Sequence, residues 1–137
     1  MNKMNEIIAM LLAIKNFSKD IHYNCKGDAF YSKHLLCDRI ADNIDEFIDS
    51  IKETIFMARI EEMLTSKQYL GKAIQRIPDL GNDDRESFRR LDFLITNTLS
   101  IIEELDNMST GEANLLGNIA ENLQNSLALL NRQVLND

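Results

Sequence analysis

Tryptophan is absent from this 137-residue chain, proline occurs once, glycine five times, and cysteine and histidine twice each. So little proline and glycine leaves few places where a helix must break. Cys25 and Cys37 could in principle pair, but a reducing compartment keeps thiols free, so no disulfide between them is expected. No stretch approaches the roughly 18 uninterrupted apolar residues of a membrane span. The opening MNKMNEIIAMLLAIKNFSKD is interrupted by Glu6 and lacks a following small-residue cleavage site. It reads as the start of an amphipathic helix, and a cytoplasmic protein without a membrane partner is expected. Basic residues are also short, 15 Lys and Arg against 22 Asp and Glu, for a net charge of −7. Such a surface repels phosphates, and only Lys3 precedes Lys15, so direct DNA binding is not expected.

What remains is the composition of a soluble helical protein: 45% hydrophobic and 27% charged, long enough for one domain over residues 1–137. Apolar positions at helical spacing predict four helices. The first runs from about Lys3 to Lys26 on a stripe through Ile7, Met10, Leu11, Ile14, Phe17, Ser18 and Ile21, and Gly27 stops it. Asp28 is the expected N-cap of the second, which continues to about Met57. The third runs from about Asp84 to Asn107. The fourth opens at Ser109 with Glu112 at N3, a capping box. Between the second and third helices, residues 58–83 hold amphipathic pieces near Ile60–Leu64 and Tyr69–Ile77 before Pro78 and Gly81. A long connection with its own short helix suits a four-helix bundle whose second and third helices run in the same direction. The fold class is therefore all-α, a four-helix bundle with a helical crossover.

Five residues carry the functional signal. His22 and His34 are the only histidines; His34 and Asp38 are four apart, as are Asp49 and Glu53, which stacks each pair on one helical face. Two imidazoles and three carboxylates suit iron, zinc or manganese better than calcium or magnesium. The set reads as an iron-oxidising site. Asp38 and Asp49 share an azimuth but lie about 16 Å apart along the axis, too far for one ion. An antiparallel pairing of the second helix with its symmetry mate brings the early pair of one chain to the late pair of the other. The spacing thus predicts two intersubunit sites per dimer.

The run His22-Tyr23-Asn24-Cys25-Lys26-Gly27-Asp28-Ala29-Phe30, followed by His34, Asp38, Asp49 and Glu53, resembles the Dps-type mini-ferritins. Gly111-Glu112-Ala113-Asn114-Leu115-Leu116 is similar to that family's final-helix start. The resemblance implies a ferritin-like bundle assembled into a dodecameric shell. His22, His34 and Asp38 of one subunit, with Asp49 and Glu53 of its neighbour, would form a ferroxidase centre. There Fe²⁺ would be oxidised, preferably by hydrogen peroxide or else by O₂, and stored as ferric mineral against oxidative stress. Tyr23 stands where the family usually has tryptophan and Thr54 where it commonly has arginine.

Three other readings stay open. The acidic positions suit a solvated face. The two His-x-x-Cys units, His22/Cys25 and His34/Cys37, suit structural zinc. A helical module without turnover would keep the fold alone. Acidic residues Glu103, Glu104, Asp106, Glu112 and Glu121 are candidates for lining an iron inlet.

Overall fold

The computed structural model describes residues 2–135. Helix α1 (Asn2–Asn24) is followed by α2 (Phe30–Asp42) and α3 (Ile44–Ile51), and a π-helical stretch, Lys52–Met57, extends α3. The crossover carries α4 (Ser66–Arg76); α5 (Asp84–Glu103) and α6 (Thr110–Leu130) complete the bundle, and Asn131–Leu135 is again π-helical. No strand occurs among the described residues. The architecture is the expected all-α four-helix bundle, with α2 and α3 together forming the second of its long helices.

The predicted first stripe is the centre of the core. Ile7, Leu11, Ile14 and Phe17 are wholly buried, joined by Ile40, Ile44, Ile51, Phe88, Leu91, Ile95, Ile119 and Leu123 in one apolar cluster. Burial of each such side chain is worth about 1.5–3 kcal/mol, so packing rather than propensity holds these helices. Ser18, on the same stripe, is also fully buried, and its hydroxyl has no hydrogen-bond partner among the described residues.

Polar contacts fix the helix directions. Lys19 of α1 pairs with Asp38 at 2.6 Å and Lys15 with Asp45 at 2.8 Å, so contacts step backward along α1 as they step forward along the α2–α3 helix, and the two are antiparallel. Lys33 in the first turn of α2 meets Asp84 in the first turn of α5 at 2.6 Å, and these two helices therefore start at the same end. That shared direction is the reason the chain needs a crossover. The crossover is tied down by Tyr69, buried with its hydroxyl donating to Asn5 Oδ1 at 2.7 Å, and by an Arg76–Glu6 ion pair.

Several boundaries differ from the sequence expectations. Helix α1 ends at Asn24, not Lys26, and Asp28 does not cap α2. The N-cap position is Ala29 in left-handed conformation, φ 57°, after Gly27 at φ 77°; Phe30 N–H closes a turn onto Gly27 O at 3.1 Å. Asp84 does the anchoring from across the bundle. Its Oδ2 accepts from Lys26 N–H at 3.1 Å and from Lys33 Nζ, which also donates to Lys26 O at 3.0 Å. Residues 60–64 are not helical; Ile60 sits at φ 57° and the crossover helix begins only after a Thr65–Gln68 capping box. The third long helix stops at Glu103 rather than Asn107, where the backbone turns left-handed at φ 54°.

Candidate functional site

The end of α1 and the start of α2 bring the two histidines face to face. Their rings stack with centroids 3.6 Å apart and planes inclined by 18°. His22 Nδ1 lies 2.7 Å from His34 O, and His34 Nδ1 lies 2.8 Å from His22 O. A carbonyl can only accept, so each Nδ1 must carry its proton. In its neutral form each ring then presents Nε2 as its one open lone pair. Such bonding of the remote nitrogen is how metal-ligating imidazoles are oriented. Phe30 packs on the His34 ring at 5.3 Å and Tyr23 meets His22 edge-on at 4.9 Å. Tyr23 is nevertheless 74% exposed.

Asp38, one turn after His34, extends the same cluster. Lys19 Nζ donates to its Oδ1 at 2.6 Å, leaving Oδ2 without a hydrogen bond among the described residues. The Lys19 hydrogen bond, reinforced by its charge, holds the Asp38 carboxyl below the usual carboxylate range, and both histidines act in the same direction. Lys19 is correspondingly raised, chiefly by its hydrogen bond to Asp38. Nothing in the sequence pattern singled out Lys19. It precedes His22 by one helical turn and faces a residue 19 positions away, so only the packing of α1 on α2 reveals it.

Asp49 and Glu53 lie farther along the second long helix, both exposed and neither in a hydrogen bond or ion pair among the described residues. Asn43 interrupts that helix between the two donor groups, with φ −96° and ψ 1°. Glu53 stands in the first turn of the π-helical stretch, a geometry frequent at functional sites. At 1.5 Å per residue the two groups remain about 16 Å apart along the axis. Among the described residues no three His, Cys, Asp or Glu side chains of one chain close around a single ion position.

The cysteines do not join the histidines. Cys25 and Cys37 are buried and unpaired, and burial pushes the Cys37 thiol well above its ordinary range, which opposes thiolate formation. Cys25 Sγ instead sits 3.9 Å from His22 O as a weak donor. The His₂Cys₂ reading has no structural support. Among the candidate inlet carboxylates, Glu112 is spent inside the fold: Arg59 grips both its oxygens at 2.7 Å, and Ser109 N–H donates to one of them.

No protein-family model matches the sequence, and no curated protein matches it. Solved structures do. A Mycobacterium smegmatis Dps1 mutant superposes with a TM-score of 0.76 at 16% identity, covering 97% of this chain and 93% of that one. The chain has the Dps-type ferritin fold. Coverage this complete means that the Dps fold accounts for the crossover helix as well as the four long helices. At this identity the likeness establishes fold alone, and the chemistry rests on this chain's own residues. Among the described residues of this Dps fold, no helix is long and apolar enough to cross a membrane.

Proposed function

We propose that the protein oxidises Fe²⁺ at sites shared between two chains and stores the product as ferric mineral inside a dodecameric shell. The observation that carries this reading is the stacked His22–His34 pair, with both Nδ1 atoms committed to backbone carbonyls and both Nε2 atoms left to ligate, His34 lying one helical turn before Asp38 on α2. The donor set fits iron. Imidazole nitrogens suit the ferrous ion, and carboxylates stabilise the harder ferric product. His22, His34 and Asp38 supply one half of each site. Asp49 and Glu53 of a second chain supply the other, since their exposure leaves them free to meet a partner.

Hydrogen peroxide is the preferred oxidant, with O₂ the alternative. Two ferrous ions give up one electron each as H₂O₂ and two protons become two waters, and no hydroxyl radical is released. The half-buried imidazoles hold substrate, Phe30 shields the His34 face from water, and the carboxylates balance the charge gained on oxidation. Exposed Tyr31 and Leu35 on α2, beside Phe30, give the contact between chains an apolar component.

The direct test is anaerobic addition of Fe²⁺ followed by peroxide, read by ferric absorbance. Oxidation well above the buffer rate is expected, with a loss of at least a hundredfold in Asp49→Ala. A wild-type rate no faster than buffer refutes the proposal.

Lys19 tunes the same site. With Asp38, Asp49 and Glu53 ionised, its ammonium leaves the five-ligand set with two negative charges, matching one Fe²⁺. Lys19→Met removes a positive charge that competes with metal at Asp38. About tenfold tighter Co²⁺ binding is expected by isothermal titration of the assembled protein. Unchanged affinity shows instead that this ion pair has no bearing on the metal.

A further inference from the structure

A cleft of about 730 Å³ opens between α1, the end of α4 and α5, a size that holds small organic ligands. Its floor is apolar, built from Met10 and Leu94, and Phe93 stands at its edge with 67% of its surface exposed. Three arginines and two glutamates also line it. Two of the arginines are already matched. Arg76 grips Glu6 through Nε and Nη2, while Arg90 lies 3.5 Å from Glu86 and donates to the carbonyls of Asp79 and Leu80. Arg89 is exposed and has no partner among the described residues. The cleft therefore carries one unmatched positive charge on a chain whose net charge is −7.

We propose that this cleft binds an aromatic monocarboxylate, with the ring against Phe93 and Met10 and the carboxylate on the Arg89 guanidinium. The planar fork of arginine donates two parallel hydrogen bonds to a carboxylate. Phe93 offers a ring face for offset or edge-on aromatic contact that solvent otherwise covers. A phosphate dianion brings a second negative charge beside Glu6 and Glu86 with no further free cation to meet it. A neutral aromatic leaves the guanidinium unused. The single charge of a carboxylic acid matches the single vacancy. None of these residues belongs to the His22–His34 cluster, so the proposal stands apart from the iron chemistry.

The test is calorimetric titration of the full-length assembled protein with 2-naphthoate, alongside its uncharged methyl ester. Saturable binding of one naphthoate per chain is expected, weakened at least tenfold by esterification and by Arg89→Gln, and several-fold by Phe93→Ala. Arg89 is exposed, and Arg89→Gln is expected to fold and to oxidise iron like the parent, which separates this result from the fate of the iron site. Equal binding of acid and ester, or full affinity in Arg89→Gln, overturns the proposal. So does the absence of saturable binding, the result expected if a second copy of the chain covers the cleft.

Discussion

Mixing two inactive variants is expected to restore iron oxidation. A chain carrying His34→Ala and Asp38→Ala lacks the nitrogen-bearing half of the site; one carrying Asp49→Ala and Glu53→Ala lacks the carboxylate half. If each site draws its halves from two chains, either variant alone is inactive. A mixed dimer, however, contains one site with both halves intact and one with neither. Random reassembly of an equal mixture makes about half the dimers mixed, so about a quarter of the parental rate should return. Sites confined to one chain predict no recovery at any mixing ratio. The readout is peroxide-driven ferric absorbance after co-refolding, with each variant refolded alone as the control. The axial separation along the second long helix makes the experiment decisive, because no side-chain movement spans about 16 Å.

Acid lability through Glu112 is the second large effect. Its carboxylate is 9% exposed and bonded to Arg59 through both oxygens, and it also accepts from Ser109 N–H. The Arg59 hydrogen bonds, followed by the Ser109 backbone bond, lower the group from 4.5 to about 2. A carboxylate whose folded value is depressed stabilises the fold fully above its unfolded value. That contribution is then lost as pH falls from about 4.5 to about 2, and the depression corresponds to about 3 kcal/mol. Glu112→Gln keeps the side-chain shape but removes the charge. It is expected to lower the Tm at neutral pH by about 10 °C. The decline in stability between pH 4.5 and 2 should flatten in the same variant. Thermal melts by circular dichroism across that range check both, and an unchanged pH profile in Glu112→Gln refutes the assignment. Structurally the pair bolts the end of the second long helix to the start of the last. Arg59 Nη2 also reaches Asn107 O at 3.4 Å and the Met108 sulfur at 3.7 Å.

Much of this was legible in the residues. Ile7, Leu11, Ile14 and Phe17 recur at helical spacing and are all wholly buried. The Ser109–Glu112 capping box forms as the local pattern requires. The Thr65–Gln68 box is equally local, but it opens a largely polar helix that apolar periodicity marks only weakly. Asp28 failed as a cap for a different reason. The chain enters α2 through a left-handed Ala29 at the N-cap position, one residue past Asp28, with Phe30 N–H closed onto Gly27 O. Asp84, 56 positions after Asp28, anchors this turn through Lys26 N–H and Lys33. The same distance problem hid Lys19. Its charge looks like any solvated lysine until α1 packs against α2 and brings its ammonium to Asp38.

By itself the sequence determined the helices, their apolar faces, and the i, i+4 pairing of His34 with Asp38 and Asp49 with Glu53, since each depends on a repeat of 3.6 residues and on neighbours within one turn. Only the tertiary structure decided how the histidines present themselves. Two rings 12 residues apart can exchange Nδ1–H bonds with each other's carbonyls only after α1 and α2 cross at the right depth. Helix periodicity is local and repeats along the chain. The orientation of a lone pair depends on side chains meeting across the bundle, and no spacing along one helix encodes that.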